Sequence, residues 1–284
     1  METQIIQVPY DSGRKNVGMG KGPAHFVRHG LDSLPKVRVA CVEVEELPSE
    51  LGTTFRVLSS LTEYVRAAVE SNRFPLVLAG NCITAVGTLA GLSTESAIVW
   101  LDAHADFNTP ETTVTGFVDG MALAMATGHC WQNLTGSIRG FRAVLDKNVV
   151  LIGARDLDPE ERTLLERSAI TSLDTTAIRK RGVKGALSPA LEDLAAGQVY
   201  LHIDLDVLDA TEATVNQYSS TGGLTLAELL EAVRVVAEAR PIAAAAITAY
   251  DPLHDKDASA LRAGAALIQE LVTAGRQSFA RAPG

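Results

Sequence analysis

The chain has 284 residues, 46% of them hydrophobic and 21% charged, with a formal net charge of -9, values of a globular chain at the upper end of what one hydrophobic core supports. The negative balance argues against a nucleic-acid or anionic-membrane surface, and three scattered cysteines, Cys41, Cys82 and Cys130, are too few for a disulfide framework. No basic start followed by an apolar stretch opens the chain and no apolar run approaches bilayer length, so the expectation is one soluble, cytoplasmic domain over residues 1–284.

Val37–Val42 is the first run that reads as a buried strand, and it carries Cys41 as a core thiol. Phe55–Val69 has apolar residues at helical spacing. Leu76–Ala79 reads as a strand, followed by the polar pair Asn81-Cys82 and a small, apolar helical stretch at Ile83–Leu92. Ala97–Leu101 is a strand followed by Asp102–Asp106, and Val149–Ile152 a strand followed by Arg155–Asp158. Asp158 as N-cap with Pro159 in the first helical position predicts a helix over Pro159–Ser168, and Ser188-Pro189 predicts another helix start of the same kind. Tyr200–Ile203 is a strand followed by Asp204–Asp206. Thr225-Leu-Ala-Glu228 is a capping box before a helix over Leu229–Arg240. Ile242–Ile247 is the last strand, followed by Tyr250-Asp251, and an amphipathic helix runs from Ser259 to Thr273. Such alternation implies an α/β fold with a mostly parallel sheet, whose functional groups sit beyond the C-terminal strand ends. Five strand ends carry polar outliers, so all five are expected to converge on one rim.

Two of these ends carry chemistry. In Asp102-Ala-His104-Ala-Asp106 an extended chain puts all three polar side chains on one side, and His202-Ile-Asp204-Leu-Asp206 repeats the pattern. Neither segment supplies Lys or Arg, so two such clusters can face each other only with cations between them. An oxygen-rich set with a little imidazole favours a hard divalent metal, Mn²⁺ or Mg²⁺ ahead of Zn²⁺. For one such segment alone, a solvated acidic turn is the competing explanation.

On these residues the chain resembles the arginase/agmatinase (ureohydrolase) superfamily, which carries Gly-Gly-Asp-His-Ser, Asp-Ala-His-x-Asp and Ser-x-Asp-x-Asp-x-x-Asp-Pro motifs in that order. The second is intact at Asp102–Asp106, the third is His202-Ile-Asp-Leu-Asp-Val-Leu-Asp-Ala210, and the first is altered to Ala79-Gly-Asn-Cys-Ile83. Gly18-Met-Gly-Lys-Gly-Pro23 resembles the family's early glycine-rich segment. The resemblance implies a three-layer α/β/α sandwich with a central, mostly parallel sheet, two divalent ions (manganese first) with a bridging hydroxide, and a homo-oligomer acting on a small amino-acid-like substrate. It implies that Asp102 and Asp204 bridge the ions, that Asp106 completes one site, and that His104 and Asp206 complete the other. Asn108 and Thr115 match the family's donors to an α-carboxylate, and Asp158 its acceptor for an α-amino group.

Four departures bear on activity. Cys82 stands where the family has a metal-binding His: the thiolate ligates, or it leaves room for a hydroxyl on the guanidine, as in the N-hydroxyarginine hydrolase branch that the Asn108–Thr115 loop also resembles, or it is simply a small buried residue. Asp119 stands at the proton-shuttling His, which a carboxylate can replace only with a raised pKa; a solvated loop residue is the alternative. The guanidinium-binding Glu falls near Ala249, with Asp251 two residues on. Phe117 replaces a polar contact, and Tyr218 lies where it can narrow the pocket. His202 either orients the carboxylates from behind or substitutes as a ligand. Asp106, Asp119 and His202 are thus the expected catalytic groups, and Cys82, Asp102, His104, Asp106, Asp204 and Asp206 the expected metal set. The leading expectation is hydrolysis of a linear C–N bond in a guanidino or amidino amino acid. A formimino or amide hydrolase on the same centre and a non-catalytic binding protein are the alternatives. A nucleophilic Cys82 with its pKa lowered by the following helix is a fourth reading.

Overall fold

The apolar runs become one eight-stranded sheet in the computed structural model, which describes residues 2–31, 34–92 and 94–279. The strands are β1 (Glu2–Val8), β2 (Val37–Cys41), β3 (Arg73–Ala79), β4 (Ala97–Leu101), β5 (Val149–Ile152), β6 (Thr171–Leu173), β7 (Val199–Asp204) and β8 (Ile242–Thr248). Their order is β2-β1-β3-β8-β7-β4-β5-β6, and every pairing in this sheet is parallel.

Alternate strand residues feed two cores. Ala97, Val99 and Leu101 face Leu187, Val233 and Leu267, whereas Ile98 and Trp100 face Leu61, Val86 and Met125. The sheet is therefore buried on both sides, as its near-continuous apolar strands require. One outer layer holds α2 (Glu50–Glu70), α3 (Thr84–Gly91) and α4 (Ala122–Ala126); the other holds α7 (Thr175–Glu192), α8 (Leu226–Ala239) and α9 (Ser259–Phe279). This is the three-layer α/β/α sandwich. Helices α1 (Gly22–Arg28), α5 (Gln132–Thr135) and α6 (Pro159–Arg167) complete the set among the described residues.

Ser188-Pro189 does not open a helix. It lies inside α7, which starts at Asp174, whose carboxylate accepts from the Ala177 amide at 2.7 Å, and kinks at Gly182 (φ 72). The buried residues Val183, Ala186, Leu187 and Leu191 continue through the proline on one face. That apolar stripe outweighs the local Ser-Pro start signal and the cost of an interior proline.

Candidate metal centre

Strands β3, β8, β7, β4 and β5 are successive neighbours. Asn81-Cys82, Ala249, Asp204–Asp206, Asp102–Asp106 and Arg155–Asp158 therefore leave the sheet side by side. They border a cavity of about 240 Å³ lined by Cys82, His104, Asp106, Asp204 and Asp206 together with Asn108, Thr115 and Asp158. A Cβ on Gly80 would collide with the Tyr10 carbonyl and the Gly20 backbone, so the glycine-rich segment reaches the Cys82 turn and brings Met19 to the cavity wall.

Asp102, Asp204 and Asp206 are 1%, 4% and 2% exposed. Their potential ligand atoms fall into two groups that share Asp102: Cys82 with Asp102 and Asp106, and Asp102 with His104 and Asp206, each within 4.8 Å. Asp204 touches both sides, accepting from Cys82 Sγ at 2.9 Å and from the Asp206 amide at 2.8 Å. Trp100 Nε1 donates to Asp102 Oδ2 at 2.9 Å, and the His104 amide to Asp102 Oδ1 at 2.7 Å. Asp106 sits at φ 49, a conformation costing roughly 1 kcal/mol outside glycine. Its carbonyl accepts the Leu123 and Ala124 amides at 2.9 and 3.1 Å, which ties the bend to the start of α4.

Electrostatics show what these groups need. Burial first, then the neighbouring carboxylates, push Asp106 and Asp204 well above the ordinary range and Asp102 up to about 6. Burial disfavours a charged His104, but Asp102 and Asp206, each 3.4 Å from Nδ1, overcome it and hold the ring protonated. That imidazolium in turn outweighs burial at Asp206 and lowers its pKa. No Lys or Arg lines the cavity among the described residues. Four clustered carboxylates with one imidazole as counter-charge fit divalent cations, which would supply the missing positive charge.

Cys82 is 2% exposed, with Sγ 3.1 Å from Thr248 Oγ1 as well as 2.9 Å from Asp204. Burial and then Asp204, Asp106, Asp119 and Asp102 push its thiol well above the ordinary range. The nucleophile reading needs the following helix to lower that pKa, whereas burial and the four carboxylates act in the opposite direction. Asp119 is buried, so the solvated-loop alternative fails. Its carboxylate accepts from Asn81 Nδ2, the Cys82 amide and the Ile83 amide at 2.9, 3.1 and 2.8 Å, and burial raises it to about 7 despite these bonds.

His202 is fully buried and does not line the cavity. It stacks on Trp100 at 3.6 Å between centroids, and burial pulls it down to about 3, so it is neutral. It lies behind the cluster rather than in it.

Asn108 Nδ2 donates to Asp158 Oδ2 at 3.1 Å. Asp158 forms a capping box with Glu161, which accepts the Asp158 and Phe107 amides at 3.2 and 2.9 Å. Glu161 lines the cavity and was not singled out from the sequence, although its place two residues after Asp-Pro marks the box. Ala249 lines the cavity, but Asp251 does not: its Oδ1 accepts the Leu253 amide at 3.0 Å. Phe117 and Tyr218 stack at 5.9 Å across the cavity's edge.

A profile of the Arginase family matches residues 1–274. The arginase of Staphylococcus aureus (strain MRSA252) is 30% identical over 274 residues, 88% of this chain and 90% of its own length. That of Brevibacillus brevis is 32% identical over 289 residues, 94% of this chain and 96% of its own. The crystal structure of arginase from Bacillus cereus superposes with a TM-score of 0.87 at 29% identity, covering 96% of this chain and 98% of that one.

Proposed function

The chain belongs to the arginase family, and from that premise we propose that it hydrolyses a linear C–N bond in a guanidino or amidino amino acid whose terminal group is modified, an N-hydroxyguanidine being the type. One observation carries this reading, the make-up of a single cavity. Its lining includes the carboxylates of Asp106, Asp204 and Asp206 as well as Asn108, Thr115 and Asp158, and it has Ala249 where the family resemblance leads one to expect a carboxylate partner for a plain guanidinium.

Two divalent ions, Mn²⁺ by the hardness of the oxygen-rich set, would be held by Cys82, Asp102 and Asp106 and by Asp102, His104 and Asp206, with Asp204 beside both groups. Bound there, they supply a more acidic water and offset negative charge at a tetrahedral centre. Asn108 and Thr115 offer donors to an α-carboxylate, and Asp158 accepts from an α-ammonium. Water adds to the amidine carbon, the bond to one nitrogen breaks, and that nitrogen leaves with a proton. Asp119, raised to about 7, and Asp106 face the cavity where that proton passes. His202 holds its neighbours in place.

Protein purified without chelators is expected to carry about two equivalents of manganese, lost in Asp204→Asn. It should convert N-hydroxyarginine to ornithine and hydroxyurea with a kcat/KM about a hundredfold above that for arginine. Efficient arginine turnover would contradict the substrate assignment, and no metal uptake after added Mn²⁺ would sink the hydrolase and favour a binding protein. Ala249 also suits an amide hydrolase, because a neutral amide needs no anionic partner; a formimino hydrolase on the same centre belongs to this second reading, although its amidine is cationic. Turnover of a formimino amino acid, with none of the hydroxyguanidine, would select that reading.

A further inference from the structure

Behind Cys82 lies a file of polar side chains that touches neither substrate nor reacting atoms in the hydrolysis described above. Tyr200 and His202 on β7 and Thr248 at the end of β8 are fully buried. The Tyr200 hydroxyl is 2.9 Å from His202 Nδ1, His202 Nε2 is 3.3 Å from Thr248 Oγ1, and Thr248 Oγ1 is 3.1 Å from Cys82 Sγ. Trp100 clamps the imidazole by stacking at 14° and donates its own N–H to Asp102. β4, β7 and β8 each contribute to the file, and register pairs Trp100 with His202.

Apolar side chains would fill the middle of a sheet at lower desolvation cost. The file opens on the cavity only at Cys82 Sγ. With the Tyr200 hydroxyl donating to Nδ1, the imidazole carries its proton on Nε2 and donates to Thr248 Oγ1, and the Thr248 hydrogen has two acceptors, Cys82 Sγ at 3.1 Å and, farther off, the Ile203 carbonyl at 3.4 Å.

We propose that Thr248, backed by His202, is a positioning residue for Cys82: its hydroxyl donates to Sγ and turns the sulfur's remaining lone pairs towards a cation shared with Asp102 and Asp106. This rests on the metal-binding reading above and adds the residues that set the sulfur ligand.

The test is a Cd²⁺ titration of chelator-treated protein, followed by calorimetry and by the ultraviolet thiolate-to-cadmium band. Wild type should show the band, and Cys82→Ser should lose it. Thr248→Val, of equal volume without the hydroxyl, should move the band to lower energy and weaken Cd²⁺ binding about tenfold. Thr248→Ser should restore both. A band unmoved in Thr248→Val, with affinity within about twofold of wild type, overturns the proposal. Cd²⁺ binding without any thiolate band also overturns it and leaves the metal reading standing, whereas no Cd²⁺ binding sinks that reading itself. If Thr248→Val does not fold, Thr248→Ala replaces it. If neither folds while Thr248→Ser does, the hydroxyl is a folding requirement and the positioning role falls.

Discussion

A single buried amide at position 216 joins three parts of the site. Asn216 is 1% exposed. Its Nδ2 donates to the Ala249 carbonyl at 2.9 Å and, more weakly, to Asp206 Oδ2 at 3.4 Å, while its Oδ1 accepts the Tyr218 amide at 2.8 Å. Ala249 sits at φ 64, strained by roughly 1 kcal/mol, and is held by this bond and by its own amide to the Gly80 carbonyl at 3.2 Å. Because Ala249 and Tyr218 both border the cavity, Asn216→Ala should raise KM for the hydroxyguanidine more than it lowers kcat. It should also destabilise the protein by about 2 kcal/mol in urea, the cost of buried partners left unpaired. An unchanged KM would contradict this. The sequence could not have named Asn216. Asp102, His104, Asp106, Asp204 and Asp206 are legible because an extended chain puts every second side chain on one face. Asn216 lies in an irregular loop, and its partner at Ala249 is a carbonyl 33 residues away, a relation that no spacing encodes.

Elements show the same division between local pattern and tertiary contact. Ala97–Leu101 and Val149–Ile152 are legible residue for residue, because buried parallel strands are unbroken apolar runs. β1 is not, since Thr3, Gln4 and Gln7 interrupt its pattern, yet neighbours on both edges pair it along its length. The loop after β7 depends on one side chain from the end of β5. Arg155 donates to the carbonyls of Asp206, Val207 and Leu208 on one stretch and of Ser220 and Thr221 on another, at 2.9 to 3.4 Å, and also to Gly153 at 3.2 Å. A lysine ammonium has three donors at one point and cannot span both stretches. Arg155→Lys should therefore lose about 2 kcal/mol of unfolding free energy by urea titration. A loss below about 0.5 kcal/mol would place it with ordinary surface changes and show that the loop holds its shape without the guanidinium.

Across the whole molecule, the fold gathers buried carboxylates at one rim, and this makes stability depend on pH in a predictable direction. In chelated protein, burial is the largest cause that holds Asp102 up to about 6 and Asp119 up to about 7, against an ordinary 3.8. Both folded-state values lie above the unfolded one, so each protonated carboxyl favours folding. That contribution is complete below about pH 4 and is lost as pH climbs through 6 and 7. His104, also raised, acts in the same direction above its ordinary 6.5; His202, pulled down to about 3, opposes the two carboxyls below 6.5 but is one group against two; and Asp206, which is lowered, matters only below this window. Bound manganese would act oppositely, because it would need deprotonated ligands and would stabilise the fold in proportion to its affinity. The Tm of chelated protein should therefore fall from about pH 5 to about pH 8, and the gap to manganese-loaded protein should widen over the same span. A chelated Tm that is flat or rises there would mean that the carboxylates are already neutralised without metal. The clustered charge would then no longer be a reason to place two cations between β4 and β7.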